Sequence, residues 1–334
     1  MSDKPVVSIG MPLYNAASFV GEAIESLLNQ TFSNFELLIA DNCSTDNTVE
    51  VCRRFAATDR RIRIIERETN RGAIDNFNFV FSETSGKYFK WAAFDDVCAP
   101  TYLEKCVDVL DFDPTIGWCH CRSDLIDENG DSWLEKLERD DPLVESAKDG
   151  SRWWKGHPRK HFNASSPARR FEGVLLGTTW SVDSYGVIRR SLLEKTRMIV
   201  PLYGAEKVLM AEMSLYARSA WLNDMLFSQR VHAEASGNLT GRKQKRRFAT
   251  AGRRSPFFST RLSLLQSHAW SVMRSKLSFG DKAMCLGVIA RYVLQPRKWI
   301  SAIADVFSIS RGNGGRQMIE RASQNGAVES EGRQ

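Results

Sequence analysis

The chain has 334 residues, 43% hydrophobic and 26% charged, with a formal net charge of +6. That length holds one large domain or two smaller ones, and the balance is that of a folded globular protein rather than a disordered chain. The longest apolar stretch, Ala283 to Leu294, is too short to cross a bilayer and contains Arg291.

The polar N-terminus enters a first strand at Val6, so no signal peptide is expected. Seven cysteines without CxxC spacing argue against a disulfide framework and point to a reducing, cytoplasmic setting. Val6-Val7-Ser8-Ile9-Gly10, Phe35-Glu36-Leu37-Leu38-Ile39-Ala40, Ile62-Arg63-Ile64-Ile65 and Tyr88-Phe89-Lys90-Trp91-Ala92 read as strands. Between them, Phe19, Ala23, Leu27 and Leu28 keep a helical spacing, as do Val49, Cys52, Phe55 and Ala56. Asn42-Cys43-Ser44-Thr45-Asp46 is a turn and N-cap cluster before that second helix. Strands alternating with helices imply a parallel sheet covered on both faces.

A polar loop follows each strand: Pro12-Leu13-Tyr14-Asn15, Asp41-Asn42, Asn70-Arg71-Gly72 and Asp95-Asp96. Asn, Asp and Gly are ordinary turn residues, so any one loop is a weak signal. In a parallel sheet, however, all four open onto the edge where α/β proteins bind ligands. The first loop is neither GxGxxG nor a Walker A sequence, which counts against dinucleotide-dependent oxidation. Phosphates would then need a metal held by the paired aspartates. Cys119-His120-Cys121 alternates across a strand, so core cysteines are expected there rather than zinc.

Val7-Ser8-Ile9-Gly10-Met11-Pro12-Leu13-Tyr14-Asn15, Ser26-Leu27-Leu28-Asn29-Gln30-Thr31, the stretch from Phe35 to Asp46, Asn70-Arg71-Gly72, and Asp95-Asp96 followed by Pro100 together resemble the opening of family-2 glycosyltransferases. The likeness is dense over residues 5 to about 130 and loose to about 236. It implies an α/β GT-A fold with a mainly parallel central sheet flanked by helices. It also implies inverting sugar transfer from a nucleotide-diphosphate sugar, of the UDP type, with Mn²⁺ or Mg²⁺. By that resemblance Pro12, Tyr14 and Asn15 border the nucleotide-sugar, and Asp41 meets the uracil-type edge or ribose. Arg71 lies near base or phosphates, and Asp95 binds the metal with help from Asp96 and His232. The family's first aspartate of Asp-x-Asp falls on Ala93, a departure that leaves open how strongly the metal is held.

The resemblance further implies a catalytic base just before a helix in the second half. Leu202-Tyr203-Gly204-Ala205-Glu206 precedes the helical pattern Val208 to Met213, so Glu206 takes that role. Its ordinary alternative is an acid favoured by a helix N-terminus. Asp183, in a strand-like stretch, is the reserve, and Arg230 is a candidate for the diphosphate. Residues 131 to 170, with Trp153-Trp154-Lys155-Gly156-His157-Pro158, suggest an acceptor lid.

From Gly241 to Ile300 there are fourteen Lys/Arg and one acid, Asp281, densest at Arg242 to Arg247 and Arg253-Arg254. Such a region attracts anionic surfaces, and Trp299, Ile300, Ile303 and Phe307 keep an amphipathic spacing. Alternatively these helices pack on the catalytic part with solvated charges. No RNA motif accompanies the basic residues, so nucleic acid is not the expected partner. The resulting expectation is a catalytic domain over 1–236, with a nucleotide-sugar half (1–130) and an acceptor-side half (131–236). A basic helical extension with a disordered tail spans 237–334. The acceptor is a surface polysaccharide or lipid-linked glycan, at the inner face of the membrane. The competing reading is a non-catalytic nucleotide-sugar or membrane-surface binding module.

Overall fold

The structure, a computed structural model, describes residues 4–132, 162–178, 181–233, 235, 239, 242–250 and 260–295. Most of the expected lid, Trp153-Trp154 included, lies outside the described residues. So do Arg253-Arg254, Trp299, Ile300, Ile303, Phe307 and the tail beyond them.

The nucleotide half runs β1 (Val7–Leu13), α1 (Val20–Leu28), β2 (Phe35–Asp41), α2 (Thr48–Ala56), β3 (Ile62–Glu66), α3 (Ala73–Ser82) and β4 (Tyr88–Trp91). Then come β5 (Val97–Cys98), α4 (Tyr102–Phe112) and β6 (Ile116–Ile126). After the undescribed segment, α5 (Pro167–Glu172) runs into a π-helical turn at Gly173–Gly177. A 3₁₀ turn at Val182–Tyr185, β7 (Val187–Arg189), α6 (Arg190–Leu193), α7 (Glu206–Tyr216) and β8 (Arg218–Arg230) complete the sheet region. Three further helices follow: α8 (Arg242–Thr250), α9 (Thr260–Arg274) and α10 (Phe279–Val293).

The eight strands form one sheet in the order β3-β2-β1-β4-β7-β6-β8-β5. The nucleotide half is parallel (β1 with β2 and β4, β2 with β3), as is β6 with β8. The sheet is thus mainly parallel, as expected, with β7 and β5 running antiparallel to their neighbours. Two single corrections follow from local geometry. β1 continues to Leu13, so Pro12 is a strand residue opposite Ala40 and not part of the loop. Its pairing with β4 ends at Gly10, and so the missing proline N–H breaks no ladder there. Asp183 sits in the 3₁₀ turn, not in a strand.

Strand alternation builds two cores. Leu37 and Ile39 of β2 face a cluster with α1 and α4, while Leu38 and Ala40 face α3, α5 and α7. On that second face α3 lies flush against β1, because a Cβ on Gly10 would come within 2.7 Å of Val80. The described helices of the extension belong to this second core: Ala249, Val272, Cys285 and Ile289 are buried in it. A fully buried carboxylate, Glu212 of α7, pairs with Arg274 of α9 at 2.6 Å and with Arg197 at 3.4 Å. Among the described residues no helix is long and apolar enough to cross a membrane.

Removing one member of a buried ion pair leaves the other charge uncompensated, which costs about 3 kcal/mol. Glu212→Ala should therefore lower unfolding stability in urea by about 2–3 kcal/mol, in a single transition that includes the extension. Early separate melting of the C-terminal helices would contradict that coupling.

Candidate active site

Sheet topology decides which loops meet. β1, β2, β3 and β4 point one way, and β4 is antiparallel to β7, which is antiparallel to β6, so β6 and its parallel partner β8 point that way too. The residues after β1, β2, β3, β4, β6 and β8 therefore reach one edge, together with the turn before β7. α7 leads down to the start of β8, which places its N-terminus, Glu206, at the same edge. Tyr14, Asp41, Arg71, Asp95, Asp96, Glu206 and His232 are thus collected there.

On the nucleotide side the loops are tied to one another. Asn15 adopts the left-handed region at φ 51°, which asparagine tolerates, and its Oδ1 accepts the Thr45 N–H at 2.8 Å. Asp41 is buried at the end of β2, and both its oxygens accept from Ser44, one from the N–H and one from the hydroxyl. Asn42 donates to Asn70 and accepts the Arg71 N–H at 3.0 Å, which fixes the third loop to the second. Gly72 follows at φ 90°, where a side chain would be strained. Tyr14 stays 46% exposed and Arg71 is exposed, so the ring and the guanidinium remain available to a ligand.

The paired aspartates divide their work. Asp95 Oδ2 lies 3.0 Å from His232 Nε2, and the imidazole packs between Phe19 (ring centroids 4.9 Å) and Phe94 (6.3 Å). Asp96 points inward, where its Oδ1 accepts the Arg230 N–H at 3.1 Å. Burial, and then the neighbouring Asp95 carboxylate, push the Asp96 carboxyl well above the usual carboxylate range. The Arg230 N–H and the Lys90 and Arg230 charges oppose that rise.

Arg230 is buried, and its guanidinium donates to the carbonyls of Asp95 (3.0 Å), Asp127 (2.9 Å) and Glu128 (3.2 Å) and to the Glu22 carboxylate (2.5 Å). Its charge is spent inside the protein, so the expectation that it meets the diphosphate is not supported. Beneath the aspartates Lys90 is fully buried and donates to the carbonyl of Tyr185 at 2.8 Å. The Tyr102 hydroxyl reaches the same carbonyl and His120 Nδ1. His120 is thereby a core histidine. Cys119 and Cys121 beside it are buried free thiols.

Glu206 is part-buried, and desolvation raises its carboxyl above the usual glutamate value against the opposing backbone N–H. Tyr185 ties it to the aspartates: burial raises the phenol, and Asp96, Glu206 and Asp95 raise it further. One ring therefore senses all three carboxylates. Asp183, the reserve base, is only 2% exposed in its turn. Tyr185 and Glu22 carried no signal in the sequence. Lys90 did, as a single charge inside an apolar strand.

Among the described residues no group of three or more His, Cys, Asp or Glu is arranged to hold a metal. Mg²⁺-type sites, however, use one or two protein ligands and complete the shell with substrate phosphates and water. The adjacent Asp95 and His232 fit that demand better than the inward-turned Asp96.

Comparison with known proteins places this edge in context. The family model described as glycosyl transferase family 2 matches residues 8–196. The chain belongs to family 2 of the glycosyltransferases. An uncharacterized glycosyltransferase of Haemophilus influenzae is 36% identical over 111 residues, covering 33% of this chain and 34% of that protein. A Bacillus subtilis protein named for teichuronic acid biosynthesis, TuaG, is 32% identical over 107 residues, covering 32% and 42%. The matches thus span well under two thirds of these relatives. Staphylococcus aureus TarS 1–349, solved with UDP-GlcNAc, superposes with a TM-score of 0.58 at 18% identity, covering 92% of this chain and 74% of that one. The mannosyltransferase PcManGT from Pyrobaculum calidifontis, solved with GDP-Man and Mn²⁺, gives 0.55 at 17%, covering 97% and 81%. The fold of this family-2 glycosyltransferase is accordingly GT-A.

Because Arg230 anchors the loop that carries Asp95, Arg230→Ala should unfold about 3 kcal/mol more easily, leaving buried carbonyls unpaired. It should also weaken nucleotide-sugar binding, although the guanidinium is not in the cleft. Isothermal titration on the folded variant checks this, and unchanged affinity would show that the loop holds its shape alone.

Proposed function

We propose that the chain is an inverting, metal-dependent transferase that moves a sugar from a UDP-type donor to a hydroxyl of a surface or lipid-linked glycan. The observation that supports this reading most is the meeting, at one sheet edge, of the Asp95–His232 pair, the loops after β1, β2 and β3, and the first turn of α7 that carries Glu206. TarS in complex with UDP-GlcNAc and the naming of TuaG support the donor and acceptor classes.

In this reading Tyr14, Asn15 and Asp41 receive the nucleoside, with Pro12 shaping the strand end beneath them. Arg71 faces the phosphates. Asp95 and His232 would hold Mn²⁺ or Mg²⁺, with Asp96 supporting the pair from behind. When bound, the cation neutralises charge that builds on the departing diphosphate. Glu206 accepts the proton of the acceptor hydroxyl as its oxygen attacks the anomeric carbon from the face opposite the nucleotide. The C1–O bond to the diphosphate breaks, and configuration inverts. A general base works best with a pKa near the working pH, and desolvation moves Glu206 in that direction. A module that binds donor without turnover is the alternative, and Ala93 in the metal motif is the feature that favours it.

Donor binding and hydrolysis across UDP-, GDP- and dTDP-sugars, with Mn²⁺, Mg²⁺ or EDTA, test the proposal. Asp95→Asn should weaken metal-dependent donor binding by at least about tenfold. Glu206→Gln should lower turnover by about 10²- to 10⁴-fold with binding retained. Binding without turnover for any metal or acceptor would favour the module.

The pH dependence has a definite sign. The base works ionised, so kcat should rise with pH through the raised Glu206 value and fall away below it. The acid limb should therefore lie above that of an ordinary glutamate. A profile flat down to the ordinary carboxylate range would remove Glu206 from the role.

A further inference from the structure

We infer that the outward faces of α9 and α10 dock this protein onto an anionic lipid surface. The inference deepens the membrane side of the proposed function and rests on no part of the transfer chemistry. α10 is apolar almost all round. Cys285, Val288 and Ile289 face the second core. On the other side Phe279, Ala283, Leu286, Ala290 and Val293 follow one another at helical spacing and are exposed, Phe279 at 89%. A helix apolar on every side is normally buried on every side.

α9 adds a second outward stripe of Leu262, Trp270 and Met273, with Trp270 60% exposed. The two helices are tied together next to their shared turn, where Lys282 of α10 donates its Nζ to the Met273 carbonyl at 2.9 Å. Lys276 is exposed in the same turn. Exposed apolar surface of this kind marks a protein or membrane contact.

Charge selects between them. From Gly241 to Ile300 the one acid is Asp281, and the Ser278 hydroxyl and Asp281 bond to each other at the N-terminus of α10. Lys276 is the exposed cation of the turn, Arg291 of α10 is 61% exposed in its pair with Glu172, and Lys243, Arg246 and Arg247 of the preceding α8 are exposed. A second copy of this face would bring like charges together, whereas anionic headgroups offset them while acyl chains receive the stripes.

Flotation of the full chain with vesicles of phosphatidylcholine, or of equimolar phosphatidylcholine and phosphatidylglycerol, tests this. The chain should float with the anionic vesicles alone and come off as salt rises. Phe279→Ser with Leu286→Ser, and separately Lys276→Glu, should each weaken that association by about tenfold. Both should keep the wild-type circular dichroism, melting and nucleotide-sugar affinity. Because flotation needs no sugar donor, its failure and failure of the transferase reading are separable. The inference falls if the wild type does not float. It falls equally if the apolar double variant floats as well as wild type, or if light scattering shows a dimer that this variant disperses.

Discussion

The buried guanidinium of Arg230 is the constraint on which the site depends. It stands at the end of β8 and gathers three chain segments, the Asp95 loop, the turn after β6 and the first turns of α1, through carbonyls and one carboxylate. A guanidinium is always charged and presents five donors in a fixed plane, so it can hold several acceptors at once where a lysine could not. Phe19 covers it at 5.0 Å and also packs on His232, so the same aromatic side chain seats both groups. Position 232 is thereby brought to Asp95 from a strand more than a hundred residues away.

This anchoring also explains the unequal fates of Asp95 and Asp96. Consecutive side chains cannot both face the cleft while the loop is pinned from below. One turns out beside His232, and the other turns in, where its acceptor completes the Arg230 backbone. Two adjacent carboxylates favour one charge over two, and burial selects Asp96 as the one that resists ionisation. Lys90 then supplies a cation under the pair without touching the cleft, its ammonium held by the Tyr185 carbonyl. The family's usual first carboxylate is absent at Ala93, and this arrangement leaves Asp95 as the carboxylate turned towards His232.

Much of this was legible in the sequence, because hydrophobic period and turn chemistry are local. Strands β1 to β4 and helices α1 and α2 fall close to where alternation and helical spacing put them, and the loops after the strands were visible from their polar residues. The two antiparallel strands were not, since β7 has only three residues and β5 two, too short for a pattern. Nor was the internal use of Arg230: a strand-end arginine looks the same whether it faces phosphate or a set of carbonyls. Packing of the basic helices on the catalytic part was one of the two readings left open, but the pair that ties them there was hidden. Arg274 and Glu212 are 62 residues apart, and only the fold brings them together. Lys90 left a signal that the strand reading passed over, a single charge inside an apolar run.

Glu206 shows how two local rules compete at one atom. A carboxylate in the first turn of a helix is stabilised in its charged form by free backbone N–H groups, which lowers its pKa. Removal from water acts in the opposite sense and is the larger effect here. The same desolvation acts on Tyr185, whose phenol is pushed further up by the three carboxylates around it. A first-turn acid that is also desolvated is a stronger base than one held by the helix alone, and that is the property the proposed role asks of Glu206.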